Sequence, residues 1–122
     1  MKEILLYNLN NAKGQHIRKM CSSLGIACRD VMPADYLQPI GAVAGLPGFH
    51  MLPMTVSAPA LAEEMMVFCG FTNDDIYALL TQWKAEGIPP VHLKAALTPH
   101  NAQWNSLQLH NELGKEHAAM NQ

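Results

Sequence analysis

The 122-residue sequence predicts one α/β domain, a small four-stranded sheet built from two strand–helix–strand units plus a C-terminal helix. Three observations predict it. The runs Glu3–Asn8 and Met65–Cys69 are short and continuously apolar, as strands covered on both faces are. Each is followed by helix-start chemistry, an apolar stripe at helical spacing and a glycine, and then a second short apolar run. The two halves also correspond at a constant spacing of 62 positions: Leu5 with Val67, Leu6 with Phe68, Ile17 with Leu79, Gly25 with Gly87, Ile26 with Ile88. That spacing is either a duplicated unit or one local grammar used twice.

The elements follow in order. Glu3-Ile4-Leu5-Leu6-Tyr7-Asn8 is the first strand. Asn10-Asn11 starts a helix whose buried stripe is Ile17, Met20, Cys21 and Leu24, and Gly25 closes it. Ala27 to Met32 is a second, shorter strand. Residues 33–62 form an irregular connection holding five of the eight prolines, yet it is apolar. Asp35 to Gly45 reads as a short helix interrupted by Pro39. Gly45 to Met54 reads as an ordered loop, because a solvated linker would not carry Leu46, Phe49, Met51, Leu52 and Met54. Met65 to Cys69 is the third strand, ended by Gly70. Thr72 caps the next helix with Asp75 as its reciprocal partner. Ile76, Leu79, Leu80 and Trp83 make its stripe before Gly87. Val91 to Leu97 is a fourth strand, with Val91, Leu93, Ala95 and Leu97 on one side and His92 and Lys94 on the other. An outward lysine marks it as an edge. A last helix runs from about Pro99 to His117, with 118–122 as a frayed tail.

The first and third strands are apolar on both sides of the pleat and therefore central. A doubly wound sheet of order 2-1-3-4 is preferred, since such strands ask for cover on both faces. The alternative is a ferredoxin-like α+β sheet, whose bare face would need the middle segment or a second subunit. A chain of this length is one domain, 1–122, large enough to bury about two-thirds of its unfolded surface.

Composition excludes several classes. A net charge of −2 with 15% charged residues argues against nucleic-acid binding and against a charged disordered chain. No apolar run approaches the roughly 18 residues that span a bilayer. Met1-Lys2-Glu3-Ile4 lacks the order of a secretory signal. Cys21, Cys28 and Cys69 are odd in number and form no Cys-x-x-Cys pair, the pattern of reduced, mostly buried thiols in a cytoplasmic protein.

Four patches together resemble a small uncharacterised bacterial protein family known only as a domain of unknown function. They are Tyr36 to Gly41, Val67 to Phe71, Lys94 to Trp104 and Leu109 to His117. The Leu-Thr-Pro-x-Asn-x-x-Trp stretch, Leu97 to Trp104, is the most specific part. The resemblance implies a compact, single-domain bacterial protein and brings no activity, substrate or cofactor.

The same stretch has a structural and a functional reading. Structurally, Thr98 is an N-cap, Pro99 sits where its missing N–H costs nothing, Asn101 reaches back to the cap, and Trp104 opens the buried face. Functionally, an open helix start with His100 and Asn101 near Lys94 can hold an anion. The turn after strand one, with Asn8 and Asn10, permits a ligand but has no phosphate-loop motif. The turn after strand three, at Gly70, is followed by Asp74 and Asp75, which disfavour phosphate. Those two aspartates read as capping residues, because neighbouring helix positions diverge by about 100°. His110 and His117 stand about 10 Å apart along a helix, too far to share one ion. His50, Met51, Met54 and Cys69 are a soft-ligand set for Cu(I), more simply explained as adaptable packing. No metal and no cofactor is expected.

Two function classes remain. The leading expectation is a non-enzymatic cytoplasmic protein-interaction or regulatory module, a homodimer through Phe49, Met51, Leu52 and Met54. The alternative is a small-molecule, anion-binding protein or enzyme, with a site at the strand ends near Asn8, Asn10, Gly70, Lys94, His100 and Asn101. Nucleic-acid and membrane partners are not expected.

Overall fold

The structure, a computed structural model, describes residues 2–53, 58–59 and 61–120, the last three as backbone only. Strands β1 (Glu3–Tyr7), β2 (Ala27–Asp30), β3 (Met65–Cys69) and β4 (Leu93–Ala96) form one open sheet in the order β2-β1-β3-β4. This is the expected α/β architecture and strand order. Within it, β1 and β2 are parallel, β3 and β4 are parallel, and the two units meet antiparallel along β1 and β3.

That junction decides where the helices lie. Crossovers between parallel strands are right-handed, so two units that start antiparallel side by side send both helices to the same face. Accordingly α1 (Ala12–Ser23) and α3 (Asn73–Ala85) share one cluster, in which Ile17, Met20, Leu79 and Trp83 cover Ile4, Leu6, Met66 and Phe68. The opposite face, with Leu5, Tyr7, Met65, Val67 and Leu93, is covered by the middle segment and the C-terminal helix. Continuous apolar strands do have cover on both faces, but the second layer comes from the irregular connection and the last helix.

The connection is built as a strap. A 3-10 turn at Pro33–Asp35 leads to α2 (Ile40–Val43), with Pro39 between them as the interruption. Ile40 N–H donates to the Trp104 carbonyl at 2.8 Å, and Ser106 N–H donates to the Tyr36 carbonyl at 3.0 Å. Behind this seam the Tyr7 hydroxyl meets Ser106 Oγ at 2.7 Å, both side chains being fully buried. Burial pushes the Tyr7 phenol above its ordinary range, so it stays neutral. The Gln38 side chain, also buried, holds the loop further on. Its Oε1 accepts from Leu52 N–H at 2.6 Å and its Nε2 donates to the Leu52 carbonyl at 2.8 Å, the two bonds a strand neighbour would make.

Several element boundaries differ from expectation, among them the end of the last helix, which continues to Met120 rather than stopping at His117. β2 stops at Asp30 rather than Met32, and β4 starts at Leu93 rather than Val91. Val91 instead turns under α3 and joins the opposite core cluster from Leu93. The last helix, α4 (Ser106–Met120), begins seven residues later than the Pro99 start, because the backbone opens to an extended conformation at Trp104 to pair with the strap. Asn105 then makes a fresh cap, exchanging side chain–backbone bonds with Gln108 at 2.8 and 2.9 Å. Thr98 and Pro99 open only the 3-10 turn Asn101–Gln103.

The spacing of 62 positions is realised in space. In the antiparallel β1–β3 pair, Leu5 lies opposite Val67, its own counterpart, so a local two-fold axis normal to the sheet passes between them. Gly25 and Gly87 carry the same left-handed φ, 73° and 70°, after helices that end at Ser23 and Ala85. Ile26 and Ile88 are both buried. The symmetry breaks after that. The α1–β2 connection is three residues, 24–26, whereas the α3–β4 connection is seven, 86–92, with Pro89-Pro90 in the extra length.

Candidate functional site

The longer second connection opens a pocket of about 250 Å³ between α3 and the edge strand β4. Its apolar wall is Met66, Leu80, Trp83, Ile88 and Val91. Lys84 and Lys94 are the titratable side chains that line it. The extra residues are fixed by their carbonyls. Trp83 Nε1 donates to the Pro89 carbonyl at 3.1 Å, Lys13 Nζ to Pro90 at 2.7 Å, and Lys94 Nζ to Val91 at 2.6 Å.

Lys94 sits opposite Met66 in the β3–β4 register and therefore points to the helix-covered side of the sheet. It is half-buried. Among the described residues its ammonium has one hydrogen-bond partner, the Val91 carbonyl, and no carboxylate partner. Loss of hydration lowers its pKa below the usual lysine value, and the nearby Lys13 ammonium lowers it further. Lys13 itself is paired, with Glu64 Oε1 at 2.6 Å. The result is a desolvated cation beside a second cation, on the rim of an apolar recess. That arrangement attracts an anion bearing a hydrocarbon part.

The six residues expected at the strand ends do not converge. Because β1 and β3 run in opposite directions, their carboxyl ends lie at opposite ends of the sheet. Asn8, in the left-handed region with φ 57°, and Asn10 line a separate depression of about 320 Å³ with Asp30, Val31, Met32 and Tyr36. Lys94 lies at that same end, but across the sheet at the start of β4. Gly70 ends β3 at the far end with φ 76°. His100 is exposed, its ring edge-on to Trp104 at 5.1 Å. Asn101 is buried with its amide fully engaged: Oδ1 accepts from Thr98 N–H at 2.8 Å and Nδ2 donates to the Ala96 carbonyl at 2.9 Å. Thr98 Oγ1 accepts from Asn101 N–H in return at 3.1 Å. The structural account of the Leu-Thr-Pro-x-Asn stretch therefore engages the Asn101 amide and the Thr98 hydroxyl within the chain, and leaves His100 and Lys94 outside the cap.

Of the two aspartates after Gly70, Asp75 caps and Asp74 stands beside it in the first helical turn. Thr72 and Asp75 form a reciprocal capping box, and Lys2 adds an ion pair to Asp75 at 3.1 Å. These bonds hold the Asp75 carboxyl below its ordinary value. Of the residues expected at an interface, Phe49 lies across Gly41, whose missing Cβ would stand 2.7 Å from the ring. Met51 and Leu52 are about half exposed, and Met54 falls outside the described residues. Among the described residues no cluster of three or more His, Cys, Asp or Glu side chains is arranged for a metal ion. His110 faces Glu63 at 3.6 Å rather than His117. No helix of the structure is long and apolar enough to cross a membrane.

Sequence reasoning finds Lys94 and misses its surroundings. Trp83 and Leu80 read as core stripe, and Lys13 reads as part of the first turn. The signal that could have found them is Pro89-Pro90, which lengthens one connection of two otherwise matched units.

Fold and site together define a small mixed-sheet α/β domain with a lysine-rimmed apolar pocket on its second unit. Residues 64–120, which hold β3, α3, β4 and α4, match the family model described as a domain of unknown function (DUF3783). The resemblance to an uncharacterised domain family is thereby borne out. Three of the four patches that carried it fall inside the match, and Tyr36 to Gly41 falls outside. No curated protein and no solved structure matches the chain.

Proposed function

We propose that this chain is a binding domain for a small organic anion, seated between α3 and β4 with its acid group on Lys94 and its hydrocarbon part against Trp83 and Leu80. The observation that carries this reading is the half-buried Lys94 ammonium at the rim of an apolar pocket, without a carboxylate partner among the described residues. A cation that has lost part of its hydration gains from any ligand that restores a charge-assisted bond, worth about 1.5–3 kcal/mol. The volume of about 250 Å³ lies below the range of about 300–1,000 Å³ typical of drug-sized ligands, which points to a short chain. The reading is of binding rather than turnover, since the titratable groups lining the pocket are two lysines with no acid beside them.

Hexanoate is the probe, with hexanol and hexylamine as controls, followed by amide and indole chemical shifts. Hexanoate is expected to move the resonances of Leu80, Trp83 and Ile88, hexanol to bind more weakly, and hexylamine not at all. Lys94→Met is expected to weaken hexanoate at least about tenfold, the lower end of the charge-assisted range above. Equal binding to the variant, or shifts confined to other parts of the chain, would overturn the reading.

A second reading, self-association, rests on Met32, Met51 and Leu52, exposed at 57%, 49% and 48%. Met32 and Met51 each line a surface depression that Asp30 also lines. The middle segment also covers the second sheet face through Tyr36, Ile40, Val43, Ala58 and Leu61, so part of its apolar surface is already used within the chain. Sedimentation at micromolar concentration tests it, and a monomer there removes it.

A further inference from the structure

The two-fold relation of the units places a second chemically distinctive pair where the pocket stands in the first. Trp83 corresponds to Cys21 at the spacing of 62 positions. Lys94, opposite Met66, corresponds to Cys28, opposite Ile4. The short α1–β2 connection packs Cys28 against the cluster that contains Cys21. Ile26 N–H donates to the Cys21 carbonyl at 2.9 Å, Gly25 makes the left-handed turn, and Cys28 follows two residues later on the edge strand. The two sulfurs lie within electrostatic reach of each other, each thiol shifting the other's titration. Cys21 is fully buried, whereas Cys28 is half-buried on the edge of the sheet and packs against the cluster that contains Cys21.

From this juxtaposition we infer that Cys21 and Cys28 are a peroxide-oxidisable dithiol, with Cys28 the attacking sulfur and Cys21 the resolving one. The asymmetry supports the order. The Cys21 thiol and the Arg18 guanidinium lower the Cys28 thiol below its ordinary value, against the opposing effects of burial, Asp30 and Glu3, while Cys28 and burial raise that of Cys21. The Cys28 thiolate attacks one oxygen of hydrogen peroxide, the O–O bond breaks, and hydroxide takes a proton to leave as water. Cys28 is then a sulfenic acid. The Cys21 sulfur attacks that sulfur, the S–S bond forms, the S–O bond breaks, and the departing hydroxide takes the Cys21 proton. Two thiols and one peroxide become a disulfide and two waters.

Cys69 is the internal control. It is buried under the opposite face, and loss of hydration pushes its thiol up to about 12. The test uses the reduced full chain and equimolar hydrogen peroxide at neutral pH, with denatured thiols counted afterwards. Free thiols are expected to fall from the three of the sequence to one. The intact mass is expected to drop by two hydrogens, and peptide mapping to join Cys21 to Cys28 with Cys69 free. Cys21→Ser is expected to stop at a sulfenic acid on Cys28 that a cyclic dione traps. Three thiols surviving, a disulfide that includes Cys69, or stable oxygen adducts on the unmutated chain would each overturn the assignment. The unmutated chain alone decides, so the test stands even where the variant fails to fold.

Discussion

Replacing Asn101 by alanine separates the two accounts of the Leu-Thr-Pro-x-Asn stretch. In the native chain the Asn101 amide makes two side chain–backbone bonds, to Thr98 N–H at 2.8 Å and to the Ala96 carbonyl at 2.9 Å, at a site only 8% exposed. Each such bond is worth about 0.5–1.5 kcal/mol net. Thr98 and Ala96 are themselves exposed, so water can reach the freed backbone groups and soften the loss. The bond from Asn101 N–H to Thr98 Oγ1 survives, because it uses the backbone. The expected cost is about 2 kcal/mol, the sum of two mid-range bonds. For a chain of this size that corresponds to a drop in Tm of about 6–10 °C.

Urea unfolding, followed by the fluorescence of Trp83 and Trp104, measures it directly. The midpoint should fall with no change in slope, since the surface exposed on unfolding is the same. Thr98→Ala, which removes the other half of the exchange, should lose less than additively in the double variant, by about 0.5 kcal/mol or more. A loss below about 0.5 kcal/mol, the size of an unremarkable surface change, would refute the capping argument. It would return Asn101 to the pool of ligand-binding candidates.

Four further expectations follow from the structure. Gly14→Ala puts a Cβ 1.7 Å from the Leu9 carbonyl oxygen, a backbone atom that cannot step aside, and should cost about 3 kcal/mol. Gly114→Ala, with open space around it on α4, should instead stabilise by about 0.5–1 kcal/mol, and a paired urea titration checks both signs. Gln38→Ala removes both bonds to Leu52 and should speed chymotryptic cleavage at Phe49 and Leu52 well before global unfolding, read by peptide mass. Lys94 has a native pKa below its unfolded value of 10.5, so between the two the unfolded chain holds a proton that the native chain has shed. Stability of the unmutated chain relative to Lys94→Met should therefore rise as pH climbs from neutral towards 10.5 and level off above it. A flat or falling difference in unfolding midpoint would contradict the buried-cation account.

The parts of the fold legible in the sequence are those governed by local pattern. Ile17, Met20 and Cys21 recur at helical spacing and are buried on α1, and Thr72 with Asp75 announces and makes its capping box. Strand order follows from Ile4–Tyr7 and Met65–Cys69 being apolar on both sides of the pleat. Direction does not, because an apolar strand looks the same from either end, and direction decides which strand ends share a rim. Pattern alone therefore groups Asn8 and Gly70 in one site although they lie at opposite ends of the sheet. The late start of α4 is hidden for a different reason. Thr98-Pro99 and Asn105-Ser106-Leu107-Gln108 are both sound helix starts, and only the long-range pairing of Trp104 with Ile40 decides that the first stops after one turn. Lys94 reads in the sequence as an outward lysine on an edge strand, whereas the structure turns it to the helix-covered side and half-buries it, because β4 starts two residues later and Val91 leaves the strand. Its pocket is not legible, since Trp83 and Leu80 on a helical stripe look the same whether they meet core or a recess.

The two halves of the molecule present different side chains at matched positions of one frame. Leu5 and Val67 hold the shared axis, and each helix ends at a glycine with the same φ. Position by position the helices present Ile17 and Leu79, then Cys21 and Trp83, to the same layer. What differs is the length of chain before the outer strand. Three residues pack Cys28 against the cluster that contains Cys21. Seven residues, stiffened by Pro89-Pro90, carry the strand away from α3 and leave a recess whose wall is the extra chain itself, pinned by Trp83, Lys13 and Lys94 through its own carbonyls. A pocket made this way depends on those pins more than on core packing. Shortening the second connection to match the first is thus expected to erase anion binding while leaving the sheet and its helices in place.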